Sequence, residues 1–66
     1  SKQVGRVLPV LVEKPGRNPG QVAGKSPHLT PVHFAGEAKQ IGRVVDVRIV
    51  DAGPNSLAGR ALAAAA

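Results

Sequence analysis

Between Ile41 and Ile49 the side chains sort by parity. Ile41, Val45, Val47 and Ile49 fall on one side, Asp46 and Arg48 on the other. A period of two with β-branched residues on one side describes a strand with one buried and one wet face. Gly53-Pro54-Asn55 then stops it. Gly and Pro punctuate the rest of the chain in the same way, every few residues, and leave no room for an amphipathic helix. Short strands and turns are what remains.

Five strands can be placed. The first spans about Val4–Glu13, with Leu8, Val10 and Val12 inward. A turn-rich loop follows over Lys14–Gly20, where Pro15-Gly16 and Pro19-Gly20 are type II turn sequences, Pro presetting φ and Gly accepting φ > 0. The second strand runs near Gln21–Ser26 with Val22 inward. The third is about His28–Ala35 with Val32 and Phe34 inward. Gly36–Gln40 reads as a polar loop, Ile41–Asp51 as the fourth strand and Ser56–Leu62 as the fifth. Pro9 and Pro31 lack a ladder donor, so each needs an edge or a bulge. The predicted interior is Leu8, Val10, Val12, Val22, Val32, Phe34, Val45, Val47 and Ile49. The fold class is all-β, a small five-stranded barrel, because closure removes exposed edges.

A chain of 66 residues makes one domain. At that size only ~60% of the unfolded chain's surface is buried, so little stability is in reserve. There is no Cys, hence no disulfide, no thiolate zinc site and no iron–sulfur ligation from this chain. No apolar run approaches the ~20 residues of a membrane helix, and no signal-peptide pattern opens the chain. A cytoplasmic protein without a membrane partner is expected. Ala63–Ala66 is too short for an independent helix and reads as a frayed, disordered tail after a domain of residues 1–62.

Nine Lys/Arg against four Asp/Glu give a net charge of +5, which points to a polyanionic partner. The competing reading is a set of scattered solvated charges. Phe34 is the only aromatic, whereas modules that read unpaired bases stack them on several aromatic rings. A nucleic acid would therefore be held by backbone and shape. Gly precedes Arg at Arg6, Arg17, Arg43 and Arg60, and a glycine beside a cation lets a phosphate approach the main chain. The candidate RNA-binding residues are Lys14, Arg17, Lys25, Arg43 and Arg48.

Other motifs carry less. Gly20-Gln21-Val22-Ala23-Gly24-Lys25-Ser26 imitates a phosphate-binding P-loop, but its glycines are one residue too close and Pro27 stands where a helix should begin. His28 and His33, five apart in one predicted strand, point to opposite faces and cannot share a metal. Glu13 and Asp46 sit on wet parities beside cations, as surface ion pairs do. No nucleophile motif surrounds the serines. No catalytic residue and no metal ligand is assigned, and the chain alone is not expected to be an enzyme.

A family pattern runs through these segments. Gly5-Arg6-Val7-Leu8-Pro9-Val10-Leu11-Val12-Glu13, Gln21-Val22-Ala23-Gly24-Lys25-Ser26, Val32-His33-Phe34-Ala35-Gly36, and Ile41-Gly42 through Asn55-Ser56-Leu57-Ala58-Gly59 occur in the order found in TRAM domains. The chain most resembles the TRAM domain of MiaB-type tRNA methylthiotransferases. The resemblance implies an OB-like barrel that holds the tRNA anticodon stem-loop while other domains modify the isopentenylated adenosine beside the anticodon. It implies a monomer with no cofactor of its own. Iron–sulfur clusters and S-adenosylmethionine would belong to the catalytic domains of a radical-SAM parent, which are partners of the barrel. Two related homes carry similar domains: a ribosomal-protein methylthiotransferase, where the barrel meets protein, and a ribosomal-RNA uridine methyltransferase. Arg60 departs from the pattern, which usually has an acidic residue after Gly59.

Overall fold

One parallel pairing closes the sheet on itself. The computed structural model describes residues 2–62. It contains β1 (Val7–Pro15), β2 (Gln21–Lys25), β3 (Pro31–Ala35), a 3-10 turn (Ala38–Gln40), β4 (Val44–Ala52) and β5 (Leu57–Ala61). The strand order β1-β2-β3-β5-β4 returns to β1. All neighbours are antiparallel except β3 and β5, where Val32, His33 and Phe34 lie beside Leu57, Ala58 and Gly59 in parallel. The result is the expected all-β, OB-like barrel of five strands.

β1 serves two neighbours. Its first half, Val7–Leu11, pairs with β4, and its second half, Leu11–Pro15, pairs with β2. The register shifts between Val12 and Lys14 and again between Ile49 and Asp51. An extra residue in one strand bends it and adds twist, which lets so few strands curl into a closed surface. Pro9 lies beyond the reach of β2 and has a partner only on β4, Asp46. Pro31 is the first residue of β3. Both prolines thus occupy positions where a missing donor does no harm.

Val10, Val12, Val22, Val32, Phe34, Val47, Ile49 and Leu57 form the buried core. Burying each such side chain contributes about 1.5–3 kcal/mol. Leu8 and Val45, expected inside, are only half-buried and pack against the edge of the core, both near the starts of their strands. Leu57 was absent from the predicted interior and fills it beside Val32.

The strand bounds also need correction. Residues 2–5 form a turn, so β1 begins at Val7 and not near Val4. β3 starts at Pro31, leaving His28 in the preceding turn. Ile41 is exposed and outside any strand; Gly42 at φ 89° breaks the phase before β4 starts at Val44. The loop 36–40 contains the 3-10 turn, where the Glu37 N–H donates to Gln40 Oε1 at 2.8 Å. The tail expected at 63–66 lies outside the described residues.

Candidate nucleic-acid interface

The register assembles cations that are far apart in sequence. On the outer surface Lys14 is the partner of Ala23, Ala23 of His33, His33 of Ala58, and Ala58 of Asp51. Alanines alternate with the longer side chains in this row, so the surface is hollow over Ala23. The hollow is about 610 Å³ and is edged by Lys14, Arg17, Asn18, Gln21, His33 and Ser56. Two residues beyond Ala58 on the same face of β5, Arg60 stands directly opposite Arg48 of β4. Lys14, Arg17, His33, Arg60 and Arg48 therefore share one outer wall, together with the acids Asp51 and Asp46 of β4.

The loop that presents Arg17 is held by its main chain. The Gly16 N–H donates to the Gln21 carbonyl at 2.6 Å, and the Gln21 N–H to the Asn18 carbonyl at 3.2 Å. Arg48 is anchored too, its Nη1 donating to the Gly5 carbonyl at 3.1 Å. Among the described residues Lys14, Arg17, Arg48 and Arg60 have no carboxylate within 4.0 Å. Cations without a close carboxylate leave this wall with a positive excess, which Asp46 and Asp51 of β4 reduce but do not match in number.

The five residues singled out in the sequence do not form one cluster. Lys14 and Arg17 share the hollow, and Arg48 lies on the same outer wall. Lys25 lies elsewhere, in a second hollow of about 300 Å³, with its Nζ 4.0 Å from Glu13 Oε1. Arg43 immediately precedes β4 and lines neither hollow; its carbonyl accepts from the Val12 N–H at 2.9 Å. His33, Arg60, Asn18 and Ser56 were not among the candidates. Their signal was present only jointly: Arg60 is one of the Gly-Arg pairs, but its place opposite Arg48 depends on strand pairing.

The P-loop imitation has a different use. Ser26 is buried, and its Oγ accepts from the Thr30 N–H at 3.2 Å. Gly24 sits where β2 crosses β1; a β-carbon there would collide with the Leu11 carbonyl oxygen. Glycine and serine at these positions make a strand crossing and a hairpin, not a phosphate cradle. Among the described residues no three His, Cys, Asp or Glu side chains come together as a metal site. No helix there is long and apolar enough to cross a membrane.

Residues 1–62 match the TRAM domain. The tRNA-2-methylthio-N(6)-dimethylallyladenosine synthase of Novosphingobium aromaticivorans is 56% identical over 57 residues, 86% of this chain and 13% of the relative. The enzymes of the same name from Cereibacter sphaeroides and Maricaulis maris are similar. The first is 56% identical over 61 residues, covering 92% of this chain and 14% of the relative. The second is 57% identical over 56 residues, covering 85% and 12%. The chain thus spans about an eighth of the length of these curated relatives. Barrel, signature segments and match agree: the chain belongs to the TRAM domain family.

Proposed function

We propose that this barrel is an RNA-binding accessory domain. It positions a tRNA anticodon stem-loop for a methylthiotransferase that modifies the adenosine next to the anticodon. The observation that carries the reading is that Lys14, Arg17, Arg60 and Arg48 lie on one outer wall, with His33 between them, and that among the described residues none has a carboxylate within 4.0 Å. Lys25, which lies in the other hollow opposite Glu13, is not part of this contact. The tRNA substrate is taken from the name shared by the similar enzymes. The domain would act as a cytoplasmic monomer within a longer polypeptide.

Chemistry would reside outside the barrel. The chain has no cysteine, so its donor set does not fit an iron–sulfur cluster, which needs thiolates. Its own residues bind and orient. Salt bridges to phosphate oxygens fix the position of a duplex stem without reading its sequence. Recognition of the adenosine itself is left to the catalytic domains.

Salt-dependent binding tests this. The isolated chain, titrated with an anticodon stem-loop RNA, should bind with Kd on the order of 10⁻⁴ to 10⁻⁶ M at physiological salt. Three to five phosphate contacts give a log–log slope of about −3 to −4.5. Binding that ignores salt, or no binding at low salt, would favour a protein-facing barrel of the ribosomal-protein branch.

A further inference from the structure

Leu29 breaks a local rule with no local return. The β2–β3 hairpin closes with Ser26 opposite Thr30, the Ser26 N–H donating to the Thr30 carbonyl at 3.0 Å and the Leu29 N–H to the Ser26 carbonyl at 2.8 Å. Pro27, His28 and Leu29 form the loop. A loop of this length is built from a turn followed by one left-handed residue, for which glycine is the usual choice. Here the left-handed residue is Leu29, at φ 63°, the only non-glycine with positive φ among the described residues. A β-carbon is costly in that region. The side chain recovers nothing from the barrel, because it is 76% exposed.

What Leu29 does is complete an apolar surface. It edges the hollow of about 300 Å³ together with Pro9, Leu11, Pro27 and Val44. Leu11 and Val44 are direct cross-strand partners, exposed at 46% and 64%. The charged residues at this hollow are Glu13 and Lys25, and they face each other at 4.0 Å. The surface is therefore apolar and locally neutral, and it shares no lining residue with the basic hollow. A backbone outlier that its own surroundings do not repay points to a function, and exposed apolar side chains grouped around one hollow point to a contact surface.

We propose that this face docks the barrel onto the remainder of a methylthiotransferase polypeptide, with Leu29 as its anchor. This rests on the reading that the barrel works inside a longer chain. The occupant is chosen on two grounds. The similar enzymes carry seven-eighths of their length outside the matching segment. Local neutrality suits an apolar protein surface and not a polyanion. Docking there would leave the cations of the neighbouring wall open for RNA.

Carbene footprinting of side chains tests the proposal without RNA. Leu11, Leu29 and Val44 should label several-fold less in the full-length methylthiotransferase containing this barrel than in the isolated chain. Leu29→Asn, which tolerates the left-handed backbone, should leave the thermal midpoint of the isolated chain unchanged or raised. In the full-length polypeptide the same variant should restore labelling at Leu11 and Val44. Equal labelling in both settings overturns the proposal. So does protection of the isolated chain that grows with concentration, which assigns the face to a second copy, or protection that appears only with RNA. A lower midpoint for Leu29→Asn would show that the leucine serves the barrel itself. RNA affinity of the isolated Leu29→Asn chain should equal that of the parent, so loss of RNA binding with docking intact would count against the RNA reading alone.

Discussion

Arg48 and Arg60 stand directly opposite each other on the outer face of β4 and β5. Both are exposed, and Arg48 is held in place by the Gly5 carbonyl. Like charges in direct register destabilise a sheet, by an amount on the order of a few tenths of a kcal/mol. A polyanion spanning the pair reverses that sign. Arg60→Gln should therefore leave the melting temperature unchanged or slightly higher, while the salt slope for stem-loop RNA flattens by about one unit. Calorimetry and a salt titration on the same preparation check both halves. A destabilised variant with unaltered RNA binding would move Arg60 from the interface to the scaffold.

Gly24 and Gly20 carry different constraints, and alanine separates them. At Gly24 the new methyl meets the main chain of Leu11 and Val12, which cannot move without opening the β1–β2 ladder. Gly20 has φ 81° and open space around it. Gly24→Ala should cost about 1–3 kcal/mol or more, as overpacking against backbone does. Gly20→Ala should cost about 1–2 kcal/mol, from the left-handed backbone alone. Urea denaturation of the two variants gives the comparison. A Gly24→Ala chain as stable as the parent would mean that β1 and β2 are further apart than described.

Much of this architecture was legible from residue order, and the exceptions share a cause. Parity is local, so Val10, Val12, Val22, Val32, Phe34, Val47 and Ile49 could be placed inward from their own strands. Leu57 could not, because a single apolar residue just after the Gly53–Asn55 turn has no periodicity to sort it. It is buried only because β5 lies beside β3 in parallel. Ile41 fitted the pattern and failed it, since Gly42 resets the chain before the strand starts. The cations were readable one at a time. Their grouping was not, because Lys14, His33 and Arg60 are brought to one outer face only through three separate pairings.

Val47 and Val50 test the register of β4 itself. Val47 is fully buried, while Val50 is 45% exposed on the outer face. Val47→Asp places a carboxylate among aliphatic side chains with no partner, a penalty of several kcal/mol that so small a domain cannot offset. The variant should show no cooperative melting by circular dichroism. Val50→Asp should fold, with stability within about 1 kcal/mol of the parent. Two folded variants of equal stability would refute the register.

Lys14, Arg17 and Lys25 are the residues whose ranking the structure changes. Lys14 and Arg17 share one hollow and have no acidic neighbour within 4.0 Å among the described residues. Lys25 already faces Glu13 in the apolar hollow. That exposed pair is worth little to stability, but the nearby carboxylate lowers the positive potential Lys25 offers a phosphate. Lys14→Gln with Arg17→Gln should flatten the salt slope by roughly two units and spare the fold. Lys25→Gln alone should change it by less than about one unit. Glu13→Gln, which frees Lys25 on the other face, should leave RNA affinity within about twofold of the parent. Fluorescence anisotropy across a salt series reads all of these. If the Lys14/Arg17 double variant binds as well as the parent at every salt concentration, the hollow over Ala23 is not where RNA sits, and the Arg48–Arg60 end of the wall becomes the next surface to test.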